Sequence, residues 1–427
     1  MGQVVRMTRN DDDDAPSPSS STSVITESRL ARYSKTTRLS RRTEDSELRE
    51  MAGKYTGLLY LPDVRPVYAV LAAQVAHWLD GDPVWLMMVG PSGSGKTEIV
   101  MSLRNVEQVY VCGEMTSAGL LSGSSKKDRD KNSTGGLLRQ IGASGTMLMK
   151  DFTSVLSMHR EELAKLLGAL REIYEGQWTR HIGTDGGMEL RWSGKCGLVA
   201  ATTNAIDRHH TVIAEMGQRM LLYRLPESTG FVTHERSLRR VDTSGIRDRL
   251  HRDVADWLVS VRTRTTVEPV TRRSDELRLL ACGAVAARCR GAISRDSYSR
   301  EVDNLPVYEA PMRLINQLHL MHKALMVMGA GREETWWLLE KLALDCIPES
   351  RRVVLEKLAR AGQKGLEMND VLDPRLGQTA ARRVVEDLEV LGVVEKKGNV
   401  MRGAVWRLTE WAKSEVEAGW VDGVGKE

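Results

Sequence analysis

Between Asp63 and Pro226 the chain alternates between two apolar patterns. Val67–Trp78 (VYAVLAAQVAHW) spaces its apolar positions for a helix, whereas Val84–Val89 is an unbroken apolar run that reads as a strand buried on both faces. Gln108–Glu114 (QVYVCGE), Thr146–Asp151 (TMLMKD) and Leu198–Asn204 (LVAATTN) give three further strands. Apolar strands separated by helices predict an α/β layer with a parallel sheet, whose strand ends gather at one edge where a ligand sits. After Pro226 the pattern turns helical, through Arg236–Val261, Ser274–Ala292, Pro311–Met328 and Glu333–Leu344, broken by GAISRDSYS and NLPVYEAP. This predicts a helical lid subdomain. From Arg351 a third unit begins: helices over Arg351–Ala361, Glu367–Leu372 and Thr379–Leu391, then VVEKKG, a turn at Asn399 and GAVWRLT. The expected divisions are a disordered tail at 1–50, the α/β core at 51–230, the lid at 231–349 and the C-terminal unit at 350–427.

Composition narrows the picture. The 427 residues are 41% hydrophobic, enough for two or three well-packed domains. A net charge of +4 is mild, so any nucleic-acid contact must come from local basic patches. Residues 1–50 carry DDDD, then APSPSSSTS, then Arg29, Arg32, Lys35, Arg38, Arg41 and Arg42 in a stretch free of acids. Such a composition favours a flexible tail, either a solvated leader or an arm that touches nucleic acid or a neighbouring subunit. The five cysteines, Cys112, Cys196, Cys282, Cys289 and Cys346, are dispersed and form no C-x-x-C pair, which points to reduced core residues without zinc or disulfides. No apolar run reaches membrane-spanning length, so no membrane partner is expected and the cytoplasm is the expected compartment.

The chemistry concentrates in GPSGSGKT, which follows the strand Val84–Val89. Gly90, Pro91, Ser92, Gly93, Ser94 and Gly95 form a loop whose backbone N–H groups can converge on phosphate oxygens. Lys96 reaches the β- and γ-phosphates, Thr97 ligates Mg²⁺, and Glu98 closes the set. The expected ligands are therefore ATP and Mg²⁺. Phosphoryl transfer to water further needs a metal-side carboxylate, a positioned water and positive charge at the γ-phosphate. Asp151, closing MLMK, suits the carboxylate. Phe152 follows it and cannot act as a base, which leaves two repairs: Asp151 itself accepts the water's proton while Thr97 and water hold the metal, or a carboxylate from another element serves, with Glu114 the first candidate. The Asn204 amide can orient that water if its strand lies beside the loop.

The order of elements resembles the AAA+ ATPases: glycine-rich loop, acid-ended strand, the helix ELAKLLGALREIYEG, a hairpin, AATTNAID and GQRMLLYRLP. Within them it is similar to the branch with a hairpin before the sensor-1 strand, which includes minichromosome maintenance helicases and bacterial enhancer-binding ATPases. The resemblance covers roughly Pro62 to Pro348. It implies a ring, usually a hexamer, with ATP between neighbouring subunits. Asn204 would be the sensor-1 residue and Arg219 the arginine finger, with Arg224 a second candidate, and Arg313 would be the lid arginine. The family's aspartate–glutamate pair is broken at Phe152, which bears on fast hydrolysis more than on binding.

The hairpin reads as Gln177–Ile182, the turn GTDGG and Met188–Trp192. In the helicases it resembles, such a hairpin enters the central channel and grips DNA. Arg180, His181 and Arg191 would then meet phosphates, while Trp178 and Trp192 pack the hairpin on the body. Three helices followed by a two-stranded wing look like a winged-helix domain, which either presents Gln378, Arg382 and Arg383 to a duplex, with Lys396, Lys397 and Arg402 on the wing, or serves as a protein adaptor. Periodicity puts Val384, Val385, Leu388 and Leu391 on the buried side of the third helix. The favoured expectation is an ATP-driven DNA motor, a replicative helicase or initiator of a phage or mobile element. The alternatives are a remodelling ATPase with a replication or regulatory protein as client, and a slow nucleotide-gated DNA-binding switch.

Overall fold

The computed structural model describes residues 46–59, 61–122, 135–182, 188–209, 217, 219–226, 243–266, 268–296, 298, 301–303, 306, 310–371, 377–398 and 404–420. Most of the expected tail, residues 231–242, the hairpin turn GTDGG, Asn399 and Arg402 lie outside them. A helix α1 (Ser46–Gly53) begins inside the expected tail, because Leu48 and Met51 find a buried face.

Helix α2 (Arg65–Trp78) is buried along nearly its whole length, as a helix apolar on every side must be. It lies between the sheet and the helical layer. Strand β1 (Trp85–Val89) has no exposed residue and leads into α3 (Lys96–Met101). Next come β2 (Val109–Cys112), the short helices α4 (Ser117–Leu120) and α5 (Leu137–Ile141), β3 (Ser144–Met149), α6 (Thr153–Leu156) and α7 (Arg160–Tyr174). Strands β4 (Gln177–Ile182) and β5 (Met188–Ser193) form a separate antiparallel hairpin, followed by β6 (Lys195–Thr202) and β7 (Leu221–Arg224).

The main sheet is parallel in the order β2-β3-β6-β1-β7. Burial on both faces explains why β1, β3 and β6 read as continuous apolar runs. The register of β1 with β6 runs from Trp85↔Leu198 to Val89↔Thr202, so the loop after β1 and the residues after β6 leave the sheet side by side. Strand β3 ends at Met149, two residues before Asp151, and β6 ends at Thr202, two before Asn204. Both polar residues therefore stand beyond the sheet edge and not in the strands, Asp151 on a loop and Asn204 at the start of the 3-10 helix Asn204–His209.

Helices α9 (Arg273–Cys289), α10 (Met312–Val327) and α11 (Arg332–Asp345) pack on one another as the helical layer, while α8 (Thr243–Arg262) packs against the core at Ser102–Asn105, just after α3. The C-terminal elements are α12 (Glu349–Ala361), β8 (Leu366–Glu367), α13 (Met368–Val371), α14 (Gln378–Val390), β9 (Val394–Lys397), β10 (Val405–Leu408) and α15 (Glu410–Gly419). Three antiparallel strands, ordered β8-β10-β9, replace the expected pair, since Leu366 and Glu367 extend along β10 and do not start a helix. Val384, Val385, Leu388 and Leu391 are buried. Residues 43–427 form one compact unit, and residue 350 falls within it. Among the described residues, no helix is long and apolar enough to cross a membrane.

Candidate nucleotide site

The loop after β1 turns back on the sheet. Gly90 N–H donates to the Thr202 carbonyl at 3.2 Å, and Ser94 N–H to the Pro91 carbonyl at 3.3 Å. Gly95 stands at φ +80°, and a Cβ added to it would lie 3.0 Å from the Leu59 side chain, so both conformation and space require glycine there. Helix α3 begins at the next residue. Lys96 is largely buried, and its ammonium donates to the Pro91 carbonyl at 2.9 Å. Burial pulls its pKa below the usual lysine value, against the opposing charge of Asp151.

A cleft of about 370 Å³ opens over the loop, lined by Leu58, Leu59, Lys96, Thr97, Thr243 and Arg247. Its size suits a small-molecule ligand. Its chemistry is divided: leucines offer an apolar wall for a base, and Lys96 and Arg247 offer cations for phosphates. Arg247 has no local sequence signal. It comes from α8, far along the chain, and binds Glu98.

Beyond β3, the Asp151 carboxylate is exposed and accepts from Thr153 N–H at 2.9 Å. Thr97 is also exposed. One hydroxyl and one carboxylate suit Mg²⁺, which uses few protein ligands and completes its shell with water and phosphate oxygens. Among the described residues, no cluster of three or more His, Cys, Asp or Glu is placed to hold a metal. Phe152 is fully buried. Asn204 is exposed at the end of β6, the strand between the loop strand and β3. Glu114 is exposed after β2, the edge strand next to β3 and two strands further from the loop than β6.

The three arginines go to two places. Arg224 ends β7 opposite Val89, on the loop's side of the sheet. It is buried and committed, with two bonds of 2.7 Å to the Asp207 carboxylate, and its backbone N–H bonds Asp345 at 2.7 Å. Arg219 precedes β7 and so lies at the opposite edge. It bonds Glu175 at 2.6 Å with its guanidinium 5.5 Å from the Tyr174 ring centre. Arg313 meets the same Glu175 at 3.3 Å, which puts it with Arg219 and not over the cleft. The structure thus brings Lys96, Thr97, Glu98 and Arg247 together, with Asp151 and Asn204 on the same edge, and it separates Arg219 and Arg313 from them.

The hairpin splits its basic residues by face. Trp178 pairs across to Trp192 and Arg180 to Leu190, and all four share the body-facing side. Trp192 Nε1 donates to the Gly142 carbonyl at 2.9 Å, and Arg180 donates to the carbonyls of Ser117 and Leu121. Arg180 is therefore spent on the body, unlike the phosphate-facing position expected of it. His181 and Arg191 lie on the outer face, where Arg191 bonds Glu189 at 2.9 Å. In the C-terminal unit Gln378, Arg382, Arg383, Lys396 and Lys397 are exposed. Two acids of α14 are paired with arginines: Asp387 binds both Arg295 and Arg351, and Glu386 lies 3.4 Å from Arg295. All five cysteines are buried and free.

No family model matches the chain, and no curated protein matches it. Among solved structures, it is similar to a candidate ATPase from Cytophaga hutchinsonii, with 13% identity, a TM-score of 0.40, and 76% of this chain and 90% of that one covered. It is also similar to the apo C-terminal region of NrS-1, with 13% identity, a TM-score of 0.24 and 57% of each chain covered. The fold itself is a mixed α/β architecture around a five-stranded parallel sheet, compatible with a P-loop ATPase core.

Proposed function

We propose that the chain is a Mg²⁺-dependent ATPase of the AAA+ kind that works as a ring on DNA, as a replicative helicase or initiator of a phage or mobile element. One observation carries this reading. The glycine loop, Asp151 and Asn204 follow adjacent parallel strands at one sheet edge, where they would supply a phosphate cradle, a metal-side carboxylate and an amide.

Loop N–H groups and Lys96 bind the β- and γ-phosphates, while Leu58 and Leu59 form an apolar wall against the base. Thr97 and Asp151 would hold Mg²⁺, which neutralises phosphate charge. Asn204 orients water at the γ-phosphate. Arg219 stands at the far edge of its own sheet, and in a ring that edge is the one to meet a neighbour's nucleotide; its guanidinium would then supply charge in trans. His181 and Arg191 on the hairpin, and Gln378, Arg382, Arg383, Lys396, Lys397 and Arg402 on a winged-helix-like C-terminal unit, are the proposed DNA contacts.

Burial of Phe152 favours one other reading, a slow nucleotide-gated DNA-binding switch, because no second carboxylate follows Asp151. The test compares wild type with Lys96→Ala for Mg²⁺-dependent ATP hydrolysis, with and without DNA, and for strand displacement on a forked duplex. Hydrolysis and displacement that both vanish in Lys96→Ala support the motor. Nucleotide-controlled DNA binding with negligible turnover supports the switch, and DNA-independent hydrolysis without displacement supports remodelling of a protein client.

A further inference from the structure

Two segments must keep a fixed spacing for the proposed hydrolysis, and one residue joins them through its backbone N–H and its hydroxyl. Asp151 follows β3 and Asn204 follows β6. Between them the Phe152 N–H donates to the Ala201 carbonyl at 2.7 Å, which sends the phenylalanine ring into the core. Thr153, the next residue, faces both segments. Its backbone N–H donates to Asp151 Oδ1 at 2.9 Å, and its hydroxyl oxygen accepts from the backbone N–H of Thr203 at 3.2 Å. The hydroxyls of Thr202 and Thr203 each lie 3.4 Å from the same oxygen.

We propose that Thr153 is a positioning residue for ATP hydrolysis, acting by holding the Thr203–Asn204 segment at a fixed distance from Asp151. This rests on the ATPase reading above. In the reaction a water oxygen bonds to the γ-phosphorus as the bridging P–O bond breaks, ADP keeps the electron pair and the water's proton passes to a phosphate oxygen. The transition state is loose, so alignment matters more than a strong base. A chain with phenylalanine where a glutamate would sit depends more heavily on such alignment. Thr153 provides it from the backbone side of one segment to the backbone of the other, without touching substrate.

Loss of the hydroxyl leaves the Thr203 N–H without its acceptor, and that segment then moves to find another. A displacement of about 1 Å in an active site costs roughly 100-fold in rate. The experiment uses the full chain with Thr153→Val, which keeps the shape but not the hydroxyl, Thr153→Ser, which keeps the hydroxyl, and Thr153→Ala as a smaller control. Steady-state ATP hydrolysis, ATP-analogue binding and thermal midpoints are measured for each.

The expected result is a kcat about 10- to 100-fold lower in Thr153→Val and Thr153→Ala, with KM and analogue affinity within about threefold of wild type. Thr153→Ser should recover most of the rate. Wild-type kcat in Thr153→Val overturns the inference, as does an equal loss in Val and Ser, which would assign the effect to packing of the methyl group. A wild-type chain that binds ATP and never hydrolyses it defeats the ATPase reading and this inference with it. That outcome is distinct from wild-type turnover that Thr153→Val leaves intact.

Discussion

Arg247 meets the Glu98 carboxylate at two points, Nε to Oε2 at 2.8 Å and Nη2 to Oε1 at 2.6 Å. The pair ties α8 to the first turn of α3, and its guanidinium lines the same cleft as Lys96 and Thr97. Both partners are about one-third exposed, so the pair adds on the order of 0.5 kcal/mol to stability and its loss leaves the fold intact. Its importance lies in the cleft. Arg247→Ala is expected to weaken binding of a fluorescent ATP analogue by about 5- to 30-fold, the loss of one charge-assisted contact to phosphate. Glu98→Gln, which releases the guanidinium, is expected to retain affinity. Equal binding by Arg247→Ala and wild type would remove Arg247 from the nucleotide site.

Arg219 stands before β7 and the phosphate loop after β1, so one subunit cannot bring them together. Arg219→Ala should bind ATP within about threefold of wild type and hydrolyse it about 100-fold more slowly. Mixed with Lys96→Ala protein, it should regain measurable turnover, because some interfaces combine the intact halves. Co-assembly without recovery would disqualify Arg219. Arg224 then becomes the candidate; it is held within its own subunit by Asp207 and Asp345, as Arg219 is by Glu175.

The hairpin should divide its effects by face. Replacing outer-face Arg191 and His181 by alanine is expected to reduce DNA stimulation of hydrolysis most strongly at low salt, where phosphate contacts are least screened, with basal turnover unchanged. Arg180→Ala should instead lower thermal stability by about 1–3 kcal/mol, because the Ser117 and Leu121 carbonyls lose their donor. A stable Arg180→Ala chain defective only in DNA response would reverse this assignment.

Acid should destabilise the fold through buried imidazoles. Burial, helped by the nearby charges of Lys195 and Arg262, lowers the His77 pKa to about 4, and burial lowers His322 similarly to about 4. In the unfolded chain each titrates near its ordinary value of 6.5, so between those limits the unfolded state binds more protons. Stability is full above about pH 6.5 and falls by up to about 3 kcal/mol per group as pH drops toward 4. Urea midpoints across this range should slope less in His77→Gln. An unchanged slope would show that His77 is already protonated in the native state.

Local signals were legible and pairings were not. The apolar run of β1 and the glycines after it lie in one short stretch, and their spacing states both strand and loop. Which strand lies beside β1 depends on contacts across more than a hundred residues, and only the structure sets β6 there. Arg180 could have been read correctly, since period two places it on the same face as the packed Trp178. Helix α15 also carried a signal, with Thr409 accepting from Ala412 N–H as an N-cap. Arg247 carried none, because a helical arginine looks alike whether it faces solvent or a cleft. The same holds for Thr153, whose role depends on how closely β3 and β6 end together.

Helix α15 closes back on α9, which precedes it by more than a hundred residues. A Cβ on Gly419 would come within 3.0 Å of Cys282 Sγ, Arg278 and Cys282 both donate to the Gly419 carbonyl, and Trp420 Nε1 donates to Glu340. The C-terminal unit is thus anchored where α12 leaves the helical layer and again where the chain returns to it. A domain on one tether can swivel; one bolted at both ends is carried as a panel. Rotation of α9 would swing β9 and β10 through the same arc, so any load on that unit would be borne by the helical layer without slack. Heat or urea should melt the two together in one transition.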